Sequence, residues 1–281
     1  MKEKQYIRSL ESRFACRFKD YSSAVEPFFH HLETADIDAV AFRVFRANYF
    51  FRISTTPSLI ATVALRAVRR RDWPCADSTL AENLHDELGN LAYDPPHLAL
   101  LSYSFNGLAR HCFELAPLEI AAVNFDPRIK PALSEEAQAI DADITDGTRA
   151  FRQEMDNLLR RKDDVELLGA SYAQETIAEA TLTRLHKFFM ARAPETASVP
   201  PEDAYFLAHL AKPAGPADAK SPAGREAAHA AHAFKNLARL CKRLRCAHAL
   251  DRALAGADVF LKGQQRLFMA TLERMQTAPR G

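Results

Sequence analysis

Apolar residues recur along the chain at intervals of three and four rather than two, the spacing that lines them up on one face of a helix. With only nine glycines and no convincing alternating strand, the pattern predicts an all-α protein. Helices are expected over 3–18, 21–33, 36–54, 57–71, 77–89, 97–113, 117–124, 134–161, 164–193, 201–211, 223–252 and 254–276. Two stretches interrupt the periodicity. Residues 124–134 contain Pro127 and Pro131, and 212–224 reads KPAGPADAKSPAG; both are expected connections. Cutting the chain at either would leave helices with exposed apolar faces, so a single helical domain over 1–281 is expected.

Against this pattern, polar residues on apolar faces stand out. The stretch LAENLHDELGNLAYDPPHLALL places Glu87 among Leu80, Leu84 and Leu88. An ionised carboxylate is rarely buried without a partner or a metal, because burial alone would neutralise it. His97 follows ten residues later, which in one unbroken helix would put it roughly 15 Å away along the axis. Gly89 and Asp94-Pro95-Pro96 break the helix, since each proline disfavours a helical residue before it. His97 is thereby free to open a new helix that folds back toward Glu87.

The same test selects residues further on. Glu175 shares a stripe with Leu168, Tyr172 and Leu182, with Glu179 one turn along, and either glutamate suits burial. His209 has Tyr205 and Phe206 one turn before it. In REAAHAAHAFKNLARLCKRL, Glu226 and His229 share a side with Ala233, Leu237 and Leu240, whereas His232 lies with Asn236, Arg239 and Arg243. Glu226 and His229 are therefore the expected inward pair. Glu82 and His85 have the Glu-x-x-His spacing of ferritin-like bundles, but their neighbours Ser78, Asp86 and Gly89 make a wet face. Several carboxylates and histidines turned inward point to a metal site.

These segments resemble a known family, the haem-oxygenase-like non-haem diiron oxidases and oxygenases. AFRVFRANYFFRIS is similar to the aromatic-rich helix preceding that family's site, and ENLHDELG with His97 resembles its first ligand motif. GASYAQETI and AYFLAH are similar to its third-helix glutamate and following histidine segments. The resemblance implies a haem-oxygenase-like seven-helix bundle with extra N-terminal and C-terminal helices, binding two ferrous ions and no haem. It assigns Glu87 and His97 to the first pair, Glu175 to a bridging and catalytic role beside Glu87, and His209 to the next ligand. The family continues with an aspartate and a histidine, where this chain has Pro213 and Pro216. Either 212–224 is an insertion and Glu226 and His229 complete the set, or the last ligands are lost; Asp218 and His232 are further stand-ins. A glutamate that some members draw from an earlier helix has no counterpart between Glu33 and Glu82.

Carboxylate and imidazole donors suit iron, and the resemblance implies O2 as co-substrate in oxidising a small amine or amino-acid-like molecule, by N-oxygenation or oxidative C–C cleavage, in small-molecule biosynthesis. Arg43, Arg46 and Arg52 are candidates to pair with a substrate carboxylate, with a surface position expected for at least two. The rival reading is a metal-independent or mono-metal protein of the same fold, similar to its thiaminase-like and pyrroloquinoline-quinone-synthesis branches; a helical scaffold for protein partners is a third.

Charge and cysteine content narrow the classes. Lysine and arginine number 37 against 36 acids, with no basic excess to favour nucleic acid. The four arginines within 66–71 fall where a helix should end, a position that suits cations. Five cysteines without a CxxC pair argue against a disulfide framework, and a reduced, cytoplasmic compartment is expected. No apolar run approaches a membrane span and the N-terminus lacks a signal core, so no membrane partner is expected. Apolar helix faces suggest a homodimer.

Overall fold

A computed structural model describes residues 3–69, 84, 85, 88, 96–118, 140–192, 206, 225–244 and 248–278, with the backbone alone for 3, 4, 6 and 225–228. The described residues form eight helices and no strand: α1 (Glu3–Thr34), α2 (Ala39–Ile53), α3 (Thr56–Arg69), α4 (His97–Phe113), α5 (Asp146–Arg160), α6 (Asp164–Met190), α7 (Arg225–Leu244) and α8 (Ala249–Thr277). The all-α expectation therefore holds.

Three expected boundaries are corrected. The break expected after residue 18 does not occur. Phe14, Tyr21, Val25, Phe28 and Leu32 form one buried stripe, and α1 runs through Pro27 at the loss of one backbone bond. The helix expected over 134–161 is interrupted at Ile144 and Thr145. Thr145 caps α5 by accepting from the Thr148 N–H, and the Asn48 side chain accepts from the Thr145 N–H at 2.9 Å. Finally, the helix expected over 223–252 does not reach 252 unbroken, because α8 opens at Ala249 after the cap residue His248. Ala249, Leu250, Ala253 and Leu254 open a new stripe continuous with Phe260 and Leu261, so apolar spacing alone concealed the turn.

Helix α8 is the hub, packing on α1, α2, α5 and α6. Its alignment with α1 is legible in the cross-helix pairs Arg13–Asp251, Arg17–Asp258, Tyr21–Gln264 and Phe28–Phe268. These pairs advance together along both helices, which makes the two parallel. Against α6 the approach is closer still. A Cβ on Gly169 would lie 2.0 Å from the Ala253 carbonyl oxygen, and one on Gly256 would lie 1.8 Å from that of Glu166. Only glycine allows backbones to touch at these two positions.

The core between α2 and α4 is aromatic. Phe105 of α4 lies against Phe42, Phe45, Tyr49 and Phe50 of α2, with ring centroids 5.3–6.2 Å apart. Each fully buried ring contributes about 1.5–3 kcal/mol of transfer free energy. This cluster fixes α4, and with it the depth of His97 at the start of that helix. Outside it, Arg66 near the end of α3 donates to the Leu159 and Arg161 carbonyls and to Asp164, capping α5 from a neighbouring helix. No described helix is long and apolar enough to cross a membrane.

Candidate metal centre

Glu175 lies midway along α6 with its side chain only 6% exposed, and the carboxylate faces the His229 ring, itself 15% exposed, at the start of α7. Glu175 Oε2 stands 3.9 Å from His229 Nδ1, which is too long for a hydrogen bond. The separation follows from local packing. Tyr172, one turn before Glu175, packs its ring on Phe234 of α7 at 5.2 Å, so α6 and α7 run antiparallel with Glu175 and His229 at matching heights.

Burial separates the candidates that were left open on α6. Glu175 is buried, and Glu179, one turn along, is exposed. On α7, His229 is the histidine that meets Glu175, while His232 is part-buried one turn away. Asn236, expected on the wet side with His232, is buried beside Leu237, which widens the inward face of α7 by one polar position.

His97 is buried and begins α4, directly after the cap residue Pro96, whose ψ of 144° keeps it out of the helix. The double proline thus starts the helix where the sequence placed it. Glu87, His209, Pro213, Pro216 and Asp218 lie outside the described residues, as does the side chain of Glu226. Of the stripe assigned to Glu87, Leu84 is part-buried, but Leu88 is 55% exposed, so that part of the helix does not present an unbroken apolar face. His85 is exposed, in keeping with a wet surface pair. Among the described residues, no three His, Cys, Asp or Glu side chains form a group able to hold a metal.

The donor chemistry nevertheless suits a cation. A buried carboxylate and a neighbouring imidazole, held apart beyond hydrogen-bond distance, are the donor types that take iron or zinc. Glu175 and His229 would be the ligands supplied by this part of the bundle, and His97 the one supplied by α4.

The arginines depart from the surface expectation. Arg43 is exposed and pairs with Asp143 at 2.7 Å, but Arg46 and Arg52 are both buried. Arg46 Nη1 donates to Asn106 Oδ1 and to the Ala116 carbonyl, each at 3.0 Å. Burial, helped by the nearby charge of Arg43, pushes its pKa down to about 10. Arg52 donates from Nε and Nη2 to the single oxygen Gln264 Oε1, and Gln264 in turn donates to the Tyr21 hydroxyl at 2.8 Å. Burial raises the Tyr21 pKa well above the ordinary phenol value, which keeps this hydroxyl neutral.

This network was missed in the sequence although the signal was present. Gln264 is flanked one turn either way by Phe260, Leu261, Leu267 and Phe268, the same arrangement that singled out Glu175. Gln264 is a neutral amide, so a pattern of inward carboxylates and histidines does not include it.

No protein-family model and no curated protein matches the chain. Solved structures do. A CADD-like protein of unknown function from Nostoc punctiforme matches with a TM-score of 0.55 at 12% identity, over 94% of this chain and 99% of that one. A domain of unknown function with a heme oxygenase-like fold from Shewanella denitrificans matches with a TM-score of 0.55 at 17% identity, over 95% and 93%. The architecture is thus a haem-oxygenase-like helical bundle.

Proposed function

We propose that this chain is a non-haem diiron oxygenase or oxidase that uses O2 to oxidise a small amine or amino-acid-like substrate, by N-oxygenation or oxidative C–C cleavage. The observation that carries the reading is the convergence of two metal-type donors from different helices, the buried Glu175 and the part-buried His229, at 3.9 Å. The haem-oxygenase-like architecture, shared with proteins whose functions are unknown, is compatible with it.

In this reading Glu87, His97, Glu175, His209, Glu226 and His229 would hold two ferrous ions, with Glu87 and Glu175 as the catalytic carboxylates. The irons supply O2 activation when bound. The chain contributes orientation: Glu175 sits at a depth set by the contact of α6 with α8.

Anaerobic titration with ferrous iron tests this directly. The wild-type chain should take up about two equivalents and, on exposure to O2, develop a transient absorbing species. Glu175→Ala and His229→Ala should each lower the stoichiometry. Absence of iron uptake by the wild type, with no change on Glu87→Ala, would sink the diiron reading.

The metal-independent or mono-metal alternative draws on one observation, that Pro213 and Pro216 stand where the family's last aspartate and histidine would be. It predicts one equivalent of metal or none, so the same titration separates the two.

A further inference from the structure

We infer that Arg52 forms a recognition site for the carboxylate of a small organic anion, walled by Tyr49 and Phe260. The residue is buried, only 6% exposed. Among the described residues no carboxylate lies within ion-pair distance of it, in contrast to Arg43, Arg66 and Arg252, which pair with Asp143, Asp164 and Asp163. Its described hydrogen bonds go to one neutral acceptor, Gln264 Oε1, at 3.3 and 2.9 Å from Nε and Nη2. Gln264 is backed by Tyr21, whose raised pKa leaves no negative charge there.

A buried cation without a counter-ion is expensive, and the whole arrangement holds this one in place. Gln264 fixes the orientation of the fork, while the Tyr49 and Phe260 rings lie with centroids 5.9 Å from the guanidinium carbon on either count. Aromatic faces and a neutral amide exclude water without cancelling the charge. Nη1, the nitrogen not engaged by Gln264, is left to meet a ligand.

The ligand's class follows from the charge supplied. One guanidinium in an aromatic setting matches a planar monoanion, a carboxylate on an apolar body. Inorganic phosphate would call for a second cation or a set of backbone N–H groups, and none is described at this position. Arg46 differs in how its fork is used, although its Nε is buried without a hydrogen-bond partner. Its Nη1 is spent on Asn106 and on the Ala116 carbonyl, and the negative charge of Asp143 acts on it through space.

The site does not depend on iron, and its test uses the full chain in metal-free form with a chelator present, so that a carboxylate bound to a metal is not mistaken for one bound to Arg52. Butyrate is compared with butyramide, which has the same shape and no charge, by calorimetric titration and by thermal shift. Butyrate should bind and raise the melting temperature with concentration, and butyramide should do neither. Arg52→Met should weaken butyrate binding at least about tenfold, while Arg52→Lys, which keeps the charge and loses the fork, should fall between. Equal response to butyrate and butyramide, or undiminished butyrate binding by Arg52→Met, overturns the inference. Should Arg52→Met fail to fold, the butyrate and butyramide comparison on the unaltered chain together with Arg52→Lys decides the matter.

Discussion

Two buried polar groups in this bundle are built on opposite plans. At the corner between α2 and α5, Asn48 is saturated. Its Nδ2 donates to the Val44 and Asp143 carbonyls, each at 2.8 Å, and its Oδ1 accepts from the Thr145 N–H and the Thr148 hydroxyl. Between α6 and α7, Glu175 and His229 face each other at 3.9 Å and stop short of a hydrogen bond. The first arrangement closes on itself and locks a chain break in place. The second brings a carboxylate and an imidazole from two helices within 3.9 Å of each other without a hydrogen bond between them. A buried polar network that closes internally rigidifies the fold.

The contrast can be broken most sharply at Asn48. Asn48→Ala removes four bonds and leaves the Asp143 carbonyl and Thr145 N–H buried without their partner, so urea denaturation should show a loss of about 3 kcal/mol. A loss under about 1 kcal/mol would mean that the corner is held by packing rather than by this side chain. Next in size is the close crossing of α6 and α8. Gly256→Ala forces a Cβ onto the Glu166 carbonyl, and unfolding midpoints should reveal overpacking of about 1–3 kcal/mol. On the other side of the comparison, Glu175→Gln in metal-free protein should change stability by less than about 1 kcal/mol, yet reduce ferrous iron uptake. A large destabilisation with iron uptake intact would make Glu175 a structural residue like Asn48.

A smaller effect tests electrostatics away from both sites. Asp163 caps α6, accepting from the Val165 and Glu166 N–H groups, and it pairs with Arg252. Burial alone would raise its pKa, but the Arg252 and backbone hydrogen bonds outweigh burial and hold it below the usual carboxylate value. A depressed folded-state pKa stabilises the protein above the unfolded carboxylate pKa and loses that contribution as pH falls through the folded value. Asp163→Ala should therefore cost about 1 kcal/mol near neutrality. Melting curves taken at successively lower pH should show the difference from wild type shrinking in the acidic range. A gap that stays constant with pH would place the effect in packing instead.

Much of the architecture was legible because helix periodicity is a local signal. The start of α4 at His97 follows from two adjacent prolines, and the burial of Glu175 follows from the Leu168, Tyr172 and Leu182 stripe. What escaped the sequence depends on contacts between distant segments. The turn at Ile144 and Thr145 is set by Asn48, nearly one hundred positions away. Arg46 and Arg52 looked like surface charges because their partners, Asn106 and Gln264, are neutral amides that carry no charge pattern to search for. The distinction between Glu175 and Glu179 likewise required knowing where α7 lies, since both fit the face of an isolated helix.

The glycine contact between α6 and α8 reaches further than its own energy. Gly169 stands six residues before Glu175 on the same rigid helix, so where the two backbones touch also determines where that carboxylate comes to rest. Side chains between helices give under load, whereas backbone against backbone has almost no slack. The crossing therefore works as a mechanical datum, a fixed point from which the Glu175 carboxylate is positioned. In the proposed metal-binding role of Glu175, ligand bonds would tolerate deviations of only about 0.2 Å, and a change at Gly169 or Gly256 would be felt there as misalignment although neither glycine is a proposed ligand.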